Sequence, residues 1–498
     1  MKKLAIILTI CILSSCTGDF LELYPKTSLN QSNFFQSQDQ FVTLANGCYI
    51  PLRNYNKEAF WVVTEVMSDN TTYQNHVNMD TGIKLKAAFE LFLITTDNSF
   101  VQSFWANAYA GIKDCNVLLN ELEKSEITWL KESIKERCYG EALFLRSLYY
   151  FNLVVSYGGV PIVLKPITSV DALDIKRSTE SQVYEVIVND LKEAITHFSK
   201  AADVEENGRA SLGAANALLG KVYLAQKKYA EVEAVLNAVI TSNKYSLLTN
   251  YADLFNPSKK DFKETIFAVQ YSESLAETSQ QFIFFMAPSS SGGSVTTRAN
   301  IMINDANHGF NIPTSDLISA FEPGDLRKDV SIKVWKGADW DGVVRDIQYC
   351  GKFKPPISSS VNQCSDNMPV LRYSDVLLMY AEALNNQGKT SQAIPYVQQV
   401  RTRAGLTNSL TGYTQAALDV LIARERQVEF CFENQRWLDL KRTGKALEVM
   451  TAHTSREKAA KSYLNQIPQA FQLNANKLLL PIPSQEIIAN HLEQNPGY

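Results

Sequence analysis

The side chains that carry most metal and acid–base chemistry are few in this chain and lie far apart. The five histidines are His76, His197, His308, His453 and His491. No two of them have the i,i+4 spacing that places zinc ligands on one face of a helix, and no Gly-x-Ser-x-Gly elbow marks a serine hydrolase. The sequence therefore predicts no metal site, no cofactor and no nucleophilic enzyme.

Two short motifs resemble nucleotide and calcium sites without completing them. Gly388-Lys389-Thr390 has the end of a P-loop, but Ala383 occupies the earlier glycine position, so we interpret Gly388 as a helix C-cap. Asp339-Trp-Asp-Gly342 has the spacing of part of a calcium loop, yet no glutamate closes it, which favours a turn. Two distant carboxylates could still converge as in glycosidases, so an enzyme of that class stays open as an alternative.

Two polar segments combine the groups that sugars need. Sugars present apolar C–H faces and a rim of hydroxyls, so their sites pair aromatic platforms with amide, carboxylate or guanidinium groups. Residues 69–76 and 335–345 offer this mixture. The predicted ligand-binding residues are Asp69, Tyr73, Asn75, Trp335, Trp340 and Arg345.

The first sixteen residues predict export and lipid attachment. Lys2 and Lys3 precede an apolar run that is too short to span a membrane, as expected for a signal peptide over residues 1–15. Leu13-Ser-Ser-Cys16 resembles the bacterial lipobox, in which the cysteine is acylated after cleavage. An ordinary secretory signal with an incidental cysteine is the alternative.

Charge and cysteine content exclude several classes of protein. The formal net charge is −4, and no run of Lys or Arg suggests a nucleic-acid footprint or a polybasic membrane patch. The remaining cysteines are too widely spaced for a disulfide framework or a Cys-x-x-Cys metal site. Cys350 and Cys364 share a loop, so a disulfide between them stays open.

Helical periodicity dominates the chain. It predicts helices over 103–123 and 127–156, and a further helix from Ser178, with Gln182 behind it as a capping partner. Two later segments align as tetratricopeptide-like helical hairpins. Gly220, Tyr223, Val232, Leu236 and Val239 have the same offsets as Ala381, Leu384, Ala393, Val397 and Val400. Gly388 suits the turn of the second hairpin, whereas Lys227 occupies the equivalent position of the first.

The stretch from about 250 to 365 has a different composition. Its β-prone runs over 265–271 and 289–294 predict short strands among loops, where binding residues tend to lie. No linker divides the chain, so we predict one domain over 16–498. Its parts are an N-terminal part (about 17–250), a loop-rich part (about 250–365) and a C-terminal part (about 366–498).

Several sequence blocks along the whole chain resemble the SusD/RagB family of outer-membrane, nutrient-binding lipoproteins. The blocks are Asp19-Phe-Leu-Glu22 with Pro25, residues 141–161, 372–384, 400–406, 425–433 and 436–444, Leu480-Pro-Ile-Pro483 and Gln494-Asn-Pro-Gly-Tyr498. The strongest signatures lie in the C-terminal third. These blocks are mostly scaffold, so we expect Arg146, Glu429, Arg436 and Trp437 to be structural.

The resemblance implies a mainly α-helical fold, with tetratricopeptide-like hairpins forming a scaffold and a loop-rich face with a few short strands. It implies a lipoprotein anchored in the outer membrane and exposed at the cell surface, which captures oligosaccharide and delivers it to a SusC-like TonB-dependent transporter. It also matches Asp69 to an aspartate in the family's early polar loop, and the tryptophans to a stacking aromatic in a later loop. Peptide capture, a surface glycosidase and a pure protein-binding scaffold remain alternatives.

Overall fold

Helices make up most of this structure, a computed structural model. It describes residues 35–74, 81–173, 175–204, 207–260, 262–296, 309–339, 341–356, 363–461, 464–465 and 467–498. Cys16, Asn75 and Trp340 lie outside these residues. The helices are α1 (Gln38–Gly47), α2 (Ile50–Lys57), α3 (Ala59–Thr64), α4 (Thr81–Glu90), α5 (Ser99–Lys124), α6 (Glu132–Tyr157), α7 (Ser169–Ala172), α8 (Glu180–Lys200), α9 (Leu212–Ala225), α10 (Tyr229–Thr241), α11 (Phe282–Met286), α12 (Ser315–Ala320), α13 (Lys328–Ser331), α14 (Tyr373–Asn386), α15 (Thr390–Arg403), α16 (Gln415–Glu429), α17 (Arg436–Arg442), α18 (Ala446–Ala460) and α19 (Ser484–Asn490).

The long helices form a row in which each packs against its neighbour. Helix α5 packs on α6, α6 on α8, α8 on α9 and α9 on α10, and α10 contacts α14, which packs on α15 and α16. The row passes directly from α10 to α14 although more than 130 residues separate them in the sequence. The loop-rich segment is therefore an insertion into a helical scaffold. None of the helices in the described ranges is both long and apolar enough to cross a membrane.

Both predicted hairpins are present, as α9/α10 and α14/α15. A Cβ atom at Gly220 would lie 2.3 Å from Leu236, so the missing side chain lets α9 and α10 approach closely. The turn after α14 contains Gly388 at φ +75°, and the turn after α9 contains Lys227 at φ +58°. The first turn thus imposes on a lysine the left-handed conformation that glycine adopts without cost.

The predicted helices over 103–123 and 127–156 are present as α5 and α6, which begin at Ser99 and Glu132. The cap of α8 is Thr179 rather than Ser178. The Thr179 hydroxyl accepts a hydrogen bond from the Gln182 backbone N–H, and the Gln182 carbonyl oxygen accepts one from the Thr179 N–H at 2.9 Å. In a capping box the two end residues are three positions apart, as Thr179 and Gln182 are, whereas Ser178 and Gln182 are four positions apart.

The strands are short and pair in twos. They are β1 (Thr71–Thr72), β2 (Thr265–Val269), β3 (Ile312–Pro313), β4 (Ile332–Ala338), β5 (Val344–Cys350) and β6 (Met368–Arg372), paired antiparallel as β1–β3, β2–β6 and β4–β5. The prediction for 265–271 is confirmed by β2. The prediction for 289–294 is wrong, because Ser289–Ser291 forms a 3₁₀ turn. Residues 332–350 form a hairpin and not the loop expected there.

Buried charge pairs hold the C-terminal part to the loop-rich part. The Arg372 guanidinium, 1% exposed, donates to carboxylates of Glu264, Glu429 and Glu433. Burial disfavours the charged form of Glu429, but Arg403, Arg372 and Arg327 outweigh it and hold the pKa of this carboxyl well below its usual range.

The structural roles predicted for four family residues are confirmed. Arg146 donates to both oxygens of Asp190, at 2.7 and 2.8 Å. Glu429 lies in the buried network, Arg436 pairs with Asp69, and Trp437 is buried. Cys350 and Cys364 are buried free thiols, so no disulfide joins them here.

Candidate functional site

The early polar loop, residues 65–74, is held from below by the turn that joins α16 to α17. The Glu65 carboxylate accepts hydrogen bonds from the backbone N–H groups of Phe432 and Asn434, at 2.9 and 2.8 Å. Both of these residues have positive φ, of 64° and 63°. Burial raises the pKa of Glu65 to about 7 although these N–H groups favour its anion. A side chain from the loop thus braces a strained turn in the C-terminal signature.

Asp69 lies in the same loop as Glu65, and its side chain is buried. It is 4% exposed, and its two oxygens accept from Arg436 Nε at 2.7 Å and Nη2 at 2.8 Å. Gln427 also donates to Asp69 and to Asn70. The bidentate pair fixes the base of the loop, which makes Asp69 a positioning residue in this geometry. Its contact with a ligand stays a prediction.

Tyr73 follows the short strand β1 and points into the core. It is 3% exposed, and its ring centroid lies 6.3 Å from that of Phe310. In this arrangement Tyr73 packs the underside of the loop and does not form an exposed platform. The strand β1 pairs with β3 through Thr71 and Thr72, and Gln74 after it contacts Ser289 and Ser290.

Gln74 joins the early loop to the late segment. Its carbonyl oxygen accepts from the backbone N–H and hydroxyl of Ser289, and its amide donates to Ser290 Oγ at 3.0 Å and to Asp339 Oδ1 at 2.7 Å. Arg345 then reaches Asp339 Oδ2 at 3.3 Å. We call Gln74, Ser289, Ser290, Asp339 and Arg345 the polar junction.

The hairpin β4–β5 presents Trp335 beside this junction. Gly337 pairs with Arg345, and Trp335 pairs with Ile347 two residues further along the strand. Trp335 and Arg345 therefore share a face as diagonal neighbours. Trp335 is half-buried and its indole N–H donates to Ser294 Oγ at 3.0 Å. A Cβ atom at Gly337 would lie 2.2 Å from the indole ring, so this glycine leaves the space that Trp335 occupies.

Arg345 is oriented by the tip of the hairpin. Its guanidinium donates to both oxygens of Asp341, at 2.5 and 2.6 Å, and its side chain remains 42% exposed. Hydrogen bonds from Arg345 hold the pKa of Asp341 well below its usual range. Asp339 and Gly342 close the predicted turn through a backbone hydrogen bond of 2.8 Å.

The structure thus brings the two predicted segments together. Trp335 and Arg345 lie on one face of the hairpin, and Gln74, which is buried, joins that hairpin to the early loop through Asp339. Asp69 and Tyr73 are buried in the early loop. The sequence pattern did not single out Gln74, Ser289, Ser290 or Ser294 as ligand-binding residues. The serine run with two glycines behind it, residues 289–294, was the available signal. Indole, guanidinium, amide and hydroxyl groups side by side can bind a polyhydroxylated ligand by stacking and hydrogen bonding. Among the described residues no cluster of His, Cys, Asp and Glu could hold a metal ion.

Comparisons with known proteins agree with this architecture. Residues 344–498 match the model of the SusD family, and residues 19–224 match a model described as starch-binding associating with outer membrane. Together the two matches cover more than two thirds of the chain. A SusD-like protein of Formosa agariphila is 24% identical over 98% of this chain and 97% of its own length.

Solved structures with the same fold were also found. A SusD superfamily protein from Parabacteroides distasonis is 28% identical, with a TM-score of 0.75 over 95% of this chain and 100% of that one. A laminarin-binding SusD-like protein is 27% identical, with a TM-score of 0.74 over 93% of this chain and all of its own.

Proposed function

Because the chain belongs to the SusD-like family, we propose that it is a glycan-binding lipoprotein of the outer-membrane surface. It captures oligosaccharide at the polar junction and Trp335, and delivers it to a SusC-like TonB-dependent transporter. The observation that carries the proposal is that Arg345 and Trp335 share a face of the hairpin next to Asp339, which the buried amide of Gln74 binds. A half-buried indole next to amide and guanidinium donors matches the chemistry of a sugar.

Anchoring and partner follow from the sequence blocks of the family. The lipobox-like Leu13-Ser-Ser-Cys16 supports attachment through an acylated Cys16. One acyl chain binds membranes only marginally, whereas several hold stably, so a multiply acylated cysteine gives a lasting anchor. The description of the matching family model supports association with the outer membrane. We propose no catalytic step, since SusD-like proteins bind their ligand and pass it on.

The proposal is tested with soluble protein lacking residues 1–16. Calorimetry against a glycan panel that includes laminarin, and against a peptide pool, should find at least one glycan that binds. If only peptides bind, capture of peptide replaces glycan in the proposal; release of new reducing ends would show a glycosidase. If nothing binds, the proposed function is wrong.

The site is tested with two variants of the hairpin. Trp335→Ala should weaken glycan binding about tenfold, equivalent to about 1.4 kcal/mol. Gly337→Ala keeps every functional group but forces the indole to move, and should weaken binding similarly. Gly47→Ala, where a Cβ atom would meet nothing within 4 Å, is the matched control. Unchanged affinity in both hairpin variants would move the site elsewhere.

A further inference from the structure

A second cleft opens on another part of the molecule, between the α1–α2 segment and the end of β2. Its volume is about 220 Å³, and its polar wall consists of Asn46, Tyr49, Arg53, Arg209 and Gln270. We call these residues the Arg53 cleft. None of them belongs to the polar junction or its hairpin.

Arg53 contributes an unused charge to this cleft. Its Nε atom is buried and has no hydrogen-bond partner. Within the described ranges, no carboxylate forms an ion pair with its guanidinium. A guanidinium group without a counter-charge on the wall of a cleft can bind an anion that enters from outside.

Arg209, in contrast, is fixed within the wall. It donates to Glu141 Oε1 at 2.6 Å and to Asn46 Oδ1 at 2.5 Å, and its guanidinium lies 5.4 Å from the centroid of the Tyr49 ring. These contacts hold a second guanidinium rigidly in the cleft that contains Arg53. A preformed wall of this kind avoids part of the ordering cost of binding.

Gly208 shapes the part of the cleft next to Gln270. A Cβ atom at Gly208 would lie 1.8 Å from Gln270 Nε2, and its φ of +84° also favours glycine. The glycine therefore lets the Gln270 carboxamide lie against the backbone. An amide at this place can bind a hydroxyl group next to an anion held by Arg53.

Lys57 and Arg209 place two further positive charges near Arg53, and the carboxylates of Glu277 and Glu141 lie next to them. Lys57 follows one turn later on α2, and its Nζ donates to the carbonyl oxygens of Ala276 and Glu277 at 3.3 and 2.8 Å. Burial and then the charge of Arg53 lower the pKa of Lys57. The carboxylate of Glu141 is bonded to Arg209.

We infer that the Arg53 cleft binds the carboxylate of a small acidic ligand of monosaccharide size, such as a uronic acid. Guanidinium donors match a carboxylate in bidentate geometry, and Gln270 and Tyr49 supply the neighbouring amide and aromatic edge. The cleft is smaller than the 300–1,000 Å³ that is usual for drug-sized ligands. This binding is separate from glycan capture at the polar junction and does not depend on it.

The test follows the Arg53 Nε–H signal in protein labelled with ¹⁵N-arginine. This proton is buried, so its exchange with water should be slow enough for detection at neutral pH. D-glucuronate should shift the signal saturably, with a dissociation constant in the millimolar range, whereas D-glucose should not. Equal shifts with the two sugars, or none at tens of millimolar glucuronate, would overturn the inference.

Variants and a second anion sharpen the test, with glucuronate binding measured by calorimetry. Arg53→Gln should weaken it at least tenfold. Arg53→Lys, which keeps the charge, should weaken glucuronate binding less. Arg456→Gln, which removes an exposed arginine elsewhere, should leave glucuronate binding unchanged.

Two outcomes would contradict the inference. Equal glucuronate affinity of Arg53→Gln and the parent protein would contradict the site, and inorganic sulfate binding as tightly as glucuronate would contradict a carboxylate ligand. Arg53→Gln should still bind the glycan identified for the polar junction, so failure of one proposal is distinguishable from failure of the other.

Discussion

At the scale of single residues, Asp69 could either contact the ligand or hold the early loop in place, and the sequence pattern does not distinguish these two roles. The family resemblance places an aspartate in the ligand-binding loop, and the structure places this one in a bidentate pair with Arg436. Asp69→Asn should therefore destabilise the fold by roughly 2–4 kcal/mol, because a largely buried guanidinium loses its counter-charge. Denaturant unfolding measures this loss, and calorimetry under conditions where the variant is folded should show glycan affinity within about twofold of the parent. A large loss of affinity with unchanged stability would instead make Asp69 a ligand contact.

Asp366 offers a residue-scale prediction about pH. It is buried and accepts hydrogen bonds from Lys354 N and Gln280 Nε2, each at 3.0 Å, and burial raises its pKa to about 7. The folded state binds this proton more tightly than the unfolded state, where the pKa is about 3.9. The resulting stability is fully present below about pH 4 and is lost as the pH rises to about 7. The asparagine side chain of the Asp366→Asn variant does not titrate, so the variant does not lose this stability. The difference in free energy of unfolding, variant minus parent, should therefore rise by up to roughly 4 kcal/mol between pH 4 and 8. A constant difference caused by the substitution itself adds to this rise at every pH. Parallel stability curves would show that this carboxyl stays ionised in the folded protein.

At the scale of elements, the turns of the two helical hairpins provide a matched comparison. Lys227 has φ +58° where the second hairpin has Gly388 at φ +75°. Lys227→Gly should raise the free energy of unfolding by about 1 kcal/mol, because it removes the left-handed penalty of a side chain. Gly388→Ala should lower it by a similar amount, and Lys228→Gly, at a position with φ −88°, should give no gain. Thermal or urea unfolding of the three variants would decide, and a loss of stability in Lys227→Gly would contradict the strain.

These elements also show which structures a sequence can reveal. Helices α9, α10, α14 and α15 are predictable because their apolar residues recur at helical spacing and small residues mark the close contacts. The hairpin β4–β5 is not, because Val334 and Val344 are 57% and 61% exposed and charged residues lie between them, so no clean alternation of buried and exposed positions appears. The junction of Gln74 with Ser289 and Asp339 spans more than 200 residues. Only the folded chain brings these residues together. The local sequence pattern therefore predicts which segments are polar, but it does not predict which of their residues contact one another.

At the scale of the whole molecule, long-range charge pairs join segments that the sequence separates. Arg372 links Glu264 to Glu429, and Arg327 links Asp325 to Glu425. Arg436 links the C-terminal signature to the early loop. The family signatures near the C-terminus thus hold the loops of the candidate site in place. These signatures therefore identify the fold of the scaffold, but they carry little information about which ligand binds.

The predicted lipid anchor is a property of the whole molecule as well. An acylated Cys16 would tether the protein near its N-terminus, while the candidate site lies far along the sequence, at residues 74 and 289–345. Cys16→Ser should therefore move the protein from the membrane fraction to the soluble fraction of cells and abolish glycan uptake, because several acyl chains together provide the anchor. Its glycan affinity in solution should equal that of protein lacking residues 1–16, since no described contact of the polar junction involves the N-terminal segment.

Membrane fractionation measures the location of the protein, mass spectrometry of the mature N-terminus measures acylation, and calorimetry measures the glycan affinity. Retention of Cys16→Ser in the membrane fraction would contradict lipid attachment at this cysteine, and weakened affinity would give the cysteine a role in the site itself.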